Sequence, residues 1–143
     1  MKIDLNKYTN VGKRALLGGC VVAAVLATTA LAGSNDDLGT SWDGCEYGST
    51  CEWHFHWTRV RGDDNVFNGY WRHSKYPSFQ GKIRISISGS TVTVNRPALG
   101  GAPPCTYTGT YHVRDLTNGI PPRVRGTYTC GTYTGPWHAE IRR

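Results

Sequence analysis

Between Cys51 and His73 the chain reads Cys-Glu-Trp-His-Phe-His-Trp-Thr-Arg-Val, then Arg-Gly-Asp-Asp-Asn, then Val-Phe-Asn-Gly-Tyr-Trp-Arg-His. Two alternating runs around a polar, glycine-containing break predict a β-hairpin. With Val60 opposite Val66, alternation puts Trp53, Phe55, Trp57, Phe67, Gly69 and Trp71 on one face, Trp57 against Gly69 and Phe55 against Trp71. So aromatic a face has to be covered by the rest of the chain, which narrows the choice to a packed or curled sheet. The opposite face carries Glu52, His54, His56, Asn68, Tyr70 and Arg72, a titratable set. Four of these, His54, His56, Tyr70 and Arg72, are the candidate ligand-binding residues.

Other segments repeat the strand signal. Lys82 to Ser88 alternates through Ile83, Ile85 and Ile87, and Thr91 to Asn95 through Val92 and Val94. The Gly89-Ser90 turn between them sets Ile87 against Val92 and Ile85 against Val94. Ser41 to Cys45 reads as a short strand containing Trp42, and Tyr133 to Ile141 as the last strand, after a tight turn at Gly131 and Thr132. A large residue, a glycine and an aromatic spaced two apart recur in Phe67-Asn-Gly-Tyr-Trp71, Tyr107-Thr-Gly-Thr-Tyr111, Val124-Arg-Gly-Thr-Tyr128 and Tyr133-Thr-Gly-Pro-Trp137. Each glycine leaves room for a neighbouring ring and lets the sheet bend. No stretch after residue 32 has a 3.6-residue period. The fold class expected is all-β: a curled antiparallel sheet or small up-and-down barrel of about seven or eight strands with two disulfides.

The cysteines choose their partners through the same alternation. Opposing Cys105 to Cys130 aligns Tyr107 with Tyr128, Gly109 with Gly126 and Tyr111 with Val124, which leaves Cys45 to pair with Cys51. Two disulfides imply an oxidising compartment. The amino-terminal segment agrees: Lys2, Lys7, Lys13 and Arg14 precede an uncharged run from Ala15 to Ala32 that ends in Ala30-Leu31-Ala32. It reads as an export signal over residues 1–32 cut before Gly33, the alternative being an uncleaved anchor. One domain, 33–143, follows. Without the signal the chain loses four of its sixteen basic residues and one of its ten acidic ones, so the net charge falls from +6 to +3. That excess makes no argument for nucleic acid. The localisation expected is secreted or periplasmic, with the membrane met only through an uncleaved signal.

Small exported size, short antiparallel strands and glycine-aromatic alternation resemble the avidin and lipocalin class of barrels. That likeness implies a small molecule bound in the barrel mouth. Locally, His54-Phe55-His56-Trp57 resembles the strand motif of the alpha carbonic anhydrases. It implies zinc held by His54 and His56, whose i and i+2 spacing projects both rings from one strand face. The third ligand would be His138 or His112.

The remaining motifs argue against catalysis. No pair of carboxylates has a spacing that fixes an acid and a base across a bond, and there is no G-x-S-x-G, phosphate loop or H-E-x-x-H. Arg61-Gly62-Asp63 reads as a turn. Arg114, Arg123, Arg125, Arg142 and Arg143 read as a solvated basic face able to meet an anionic polymer. The reading is an exported non-catalytic binding or inhibitory module without a cofactor, its partner a protein, a glycan or an anionic cell-surface polymer. The alternatives are a small zinc enzyme or zinc-binding protein on His54, His56 and His138, and a structural protein of the cell envelope or secreted surface.

Overall fold

A computed structural model describes residues 35–47 and 50–143. The export signal expected over residues 1–32 lies outside them. Eight strands follow in chain order: β1 (Ser41–Glu46), β2 (Trp53–Arg59), β3 (Val66–His73), β4 (Phe79–Ser88), β5 (Thr91–Arg96), β6 (Cys105–His112), β7 (Arg123–Cys130) and β8 (Tyr133–Arg142). Each is antiparallel to the next, and β8 returns to β1 to close an up-and-down barrel. Closure removes both sheet edges, the usual liability of an exposed sheet.

The registers follow from side-chain phase. Trp57 opposes Gly69 and Phe55 opposes Trp71. Ile85 opposes Val94 and Ile87 opposes Val92. Cys105 opposes Cys130, with Tyr107 on Tyr128, Gly109 on Gly126 and Tyr111 on Val124. A slip of one residue would turn each apolar set to solvent, which is why these pairings are so strongly specified. The disulfides are Cys45–Cys51 and Cys105–Cys130.

Inward residues fill the barrel with rings. Trp42, Trp57, Phe67, Trp71 and Tyr107 are fully buried, and Phe55 and Trp137 nearly so. Trp57 is the hub: its ring centroid lies 4.0 Å from Phe55, 5.6 Å from Tyr107, 5.9 Å from Trp71 and 6.0 Å from both Trp42 and Trp137. These are packing distances for aromatic pairs. They are compatible with small strand positions such as Gly69, where Trp71 and Trp57 occupy the volume that a side chain would need.

One element departs from the sequence expectation. A 3-10 turn, Asn35–Leu38, forms in a stretch whose sequence shows no helical period. Leu38 is completely buried and its carbonyl oxygen accepts the Trp42 indole N–H at 2.7 Å, so the turn plugs the barrel end where β1 begins. A lone leucine in a polar stretch has no periodicity to announce it.

Candidate functional site

The four ligand-binding residues expected from sequence come together on the outer wall of β1, β2 and β3. In antiparallel pairing, opposed residues share a face with their Cβ atoms about 5 Å apart. The register therefore lines up Asp43, His56 and Tyr70 in one row and Cys45, His54 and Arg72 in the next. Between the rows lies a depression of about 300 Å³ lined by Asp43, Gly44, His54, Phe55, His56, Tyr70 and Arg72. His54, His56, Tyr70 and Arg72 are all exposed. Closure of the barrel puts Glu140 beside Asp43 and His138 beside Cys45.

Asp43 organises the wall. Its Oδ1 lies 2.6 Å from His56 Nδ1, and Arg142 Nε sits 2.8 Å from Oδ2, an ion pair without hydrogen-bond alignment. Thr58 Oγ1 is 3.1 Å from His56 Nε2. A neutral imidazole has one N–H, so the bond to Asp43 assigns the proton to Nδ1 and leaves Nε2 to accept from Thr58. Hydroxyl, imidazole and carboxylate stand in the order of a nucleophile, its base and its orienting group. Thr58, however, is an interior position of a strand paired on both sides, with Ser41 and with Asn68. Such backbone N–H groups are spent in the ladders and cannot gather around an oxyanion. The triplet fixes the positions of the Thr58, His56 and Asp43 side chains.

The zinc ligands expected from sequence fall in different surroundings. His54 Nδ1 faces Cys51 Sγ at 3.2 Å, His56 is held by Asp43, and His138 stands beyond Cys45, two strand spacings or about 10 Å from His54. Among the described residues, the group of three potential ligands whose donor atoms lie within 4.8 Å of one another is Cys45, Cys51 and His54. Both sulfurs there are committed to a disulfide. His112 pairs with Arg123 on the far side of the barrel.

No family model, curated protein or solved structure matches this chain. Its site is therefore defined by geometry alone.

That geometry includes two charged residues inside the barrel that the sequence reading left outside. Glu46 and Arg96 are 5% and 4% exposed. Glu46 Oε1 accepts the Trp71 indole N–H at 3.0 Å and the Tyr107 hydroxyl at 2.5 Å. The Arg96 guanidinium lies 5.4 Å from the Trp71 ring centroid and 5.1 Å from that of Phe79, and its Nη2 donates to the Pro103 carbonyl oxygen at 3.1 Å. Cation–π contact and carbonyl bonding compensate the guanidinium for lost water. Burial raises the Glu46 pKa, opposed in turn by the Tyr107 hydrogen bond, the Arg96 charge and the Trp71 hydrogen bond. Burial also raises the Tyr107 hydroxyl well above the usual phenol range, and the Glu46 charge adds to this. The cluster forms a polar floor at the end of the barrel where β1 stops and β2 begins, and it holds Trp71 in place.

Proposed function

We propose that this protein is an exported, non-catalytic binding or inhibitory module whose partner contacts the outer wall of β1–β3. One observation carries the reading: the interior is filled by Trp42, Trp57, Phe67, Trp71 and Tyr107, while Asp43, His54, His56, Tyr70 and Arg72 surround a depression on the outside. A barrel of the avidin and lipocalin kind takes its ligand inside; a ring-packed barrel has to offer its exterior instead. The wall suits recognition because Asp43 presets the His56 rotamer, so less ordering cost remains at binding. Two disulfides fit an oxidising environment, and with the amino-terminal signal they support a secreted or periplasmic location.

The test uses the mature protein recovered from the exported fraction, where the amino-terminal sequence should begin at Gly33. Immobilised wild type and the double variant His56→Ala/Arg72→Glu are exposed to solubilised envelope and extracellular material containing proteins, glycans and anionic polymers. A partner retained by wild type and lost by the variant supports the wall. Equal retention by both removes the wall from the account, and no retention at all favours a structural surface role. The zinc alternative has one observation in its favour, since a carboxylate on Nδ1 is also how metal-binding histidines are oriented. Stoichiometric zinc that survives dialysis and disappears in His54→Ala would establish it.

A further inference from the structure

At the barrel end nearest Glu46, the ends of β2 and β3 and the loop 74–78 present three rings together. Trp53 lies 4.8 Å from His73 and 6.3 Å from Tyr76, with the Trp53 and Tyr76 planes only 10° apart, and His73 lies 4.7 Å from Tyr76. Tyr76 is 62% exposed, so its ring is open to solvent. The group is anchored from below. Trp53 packs 5.3 Å from Phe79, which stacks on the buried Trp71 at 5.1 Å and 12°. The Lys75 backbone N–H donates to His73 Nδ1 at 2.9 Å, so a neutral His73 presents its own N–H at Nε2.

Beside the rings opens a cleft of about 500 Å³, edged by Thr50, Glu52, His54, Ser74 and Lys75 and including His73 and Tyr76 in its lining. The lining holds no aliphatic side chain, unlike the apolar pockets that anchor protein partners. Its two formal charges, on Glu52 and Lys75, are opposite, so neither a polyanion nor a polycation is favoured.

We infer that this cleft binds a neutral carbohydrate, one sugar ring lying on the exposed Tyr76 ring beside His73, with Trp53 backing Tyr76 and the sugar hydroxyls turned into the cleft. A pyranose ring offers an apolar C–H face to an aromatic platform. Its hydroxyls both donate and accept, so they satisfy an acceptor-only Glu52 and a donor-only Lys75 together. The inference rests on the reading of the protein as a binding module and names the ligand class at its rim. His54 lines both this cleft and the depression of the wall, which makes the two surfaces continuous.

The test is calorimetric titration of the exported protein with three tetrasaccharides, of β-1,4-linked glucose, β-1,4-linked N-acetylglucosamine and α-1,4-linked glucose, up to about 5 mM. At least one should bind. Tyr76→Ala should weaken that binding at least about tenfold, or ~1.4 kcal/mol, while Tyr76→Phe keeps it. Tyr76→Phe should retain the wild-type unfolding midpoint, and Tyr76→Ala, which loses only the ring contacts with Trp53 and His73 at the rim, should remain folded at the titration temperature. Absence of binding by all three sugars, or binding indifferent to Tyr76→Ala, overturns the inference. If the sugars fail while capture of an envelope partner still depends on His56 and Arg72, the carbohydrate inference falls and the binding-module reading stands.

Discussion

Gly69→Val tests the aromatic packing directly, because strand propensity and packing predict opposite signs. Valine is a better strand residue than glycine, and replacing glycine also reduces the freedom of the unfolded chain by about 0.4 to 1 kcal/mol, so both local terms favour the variant. The structure says otherwise. A Cβ at Gly69 would fall 2.5 Å from Trp71 Cζ3, against Trp71 Cη2, and 3.2 Å from Trp57 Cδ1. Trp71 has nowhere to withdraw: it is fully buried, donates to Glu46 at 3.0 Å and stacks on Phe79. Overpacking costs about 1 to 3 kcal/mol, and displacing the indole from a buried carboxylate adds about 1.5 to 3. Set against the local gain, the expected net loss is about 3 kcal/mol. With an m-value near 1.5 kcal/mol/M, the urea midpoint should fall by about 2 M. The cause can be isolated by repeating Gly69→Val in a Trp71→Phe background, where a smaller ring should reduce the loss by about 1 kcal/mol or more. An unchanged midpoint, or the same loss in both backgrounds, would refute the packing argument.

Three further outcomes follow from the interior and the disulfides. Glu46 has a folded pKa raised above its ordinary value of 4.5, so the folded chain holds this proton more tightly than the unfolded one. Its contribution to stability is full below about pH 4.5 and is lost as pH rises through the folded value. Glu46→Gln should therefore gain on wild type as pH is raised from about 4 to about 8; denaturation midpoints that run parallel over that range would contradict the assignment. Tyr107→Phe deletes the hydroxyl donated to Glu46 and should cost about 2 kcal/mol by urea unfolding, but less in a Glu46→Gln background, because a neutral acceptor depends on it less. The Cys105–Cys130 bridge, spanning a sequence separation of 25 against 6 for Cys45–Cys51, closes the larger unfolded loop. Paired alanine replacements should thus cost about 3.5 and about 2.4 kcal/mol respectively, and the reverse order in thermal unfolding would show that native contacts, not chain entropy, dominate.

Much of the wall is legible in the sequence. Alternation around Arg61–Asn65 placed His54, His56, Tyr70 and Arg72 on one face, and the structure groups them around one depression. What alternation missed was Asp43, because β1 carries no signal for the strand it will lie beside. Glu46 and Arg96 were missed for a different reason. Both sit one residue beyond the strand ends expected at Cys45 and Asn95, in phase with inward Trp42 on one side and inward Val92 and Val94 on the other. Extending the alternation by one residue would have put them inside the barrel, against the rule that charged side chains seek water. Only the mutual arrangement of Glu46, Tyr107, Trp71 and Arg96 makes that burial tolerable.

Taken alone, the sequence determined the strand phases, the hairpin registers, the Cys105–Cys130 pairing and the all-β class. Each is a local consequence of a two-residue period, readable from neighbours in the chain or across a short turn. The tertiary structure decided that β8 closes on β1, that Asp43 meets His56 while His138 stays behind Cys45, and that Trp53, His73 and Tyr76 share a rim with a polar cleft. These depend on barrel closure and on loops whose residues have no period. Closure satisfies the edge hydrogen bonds of the whole sheet at once, a condition that no single segment encodes.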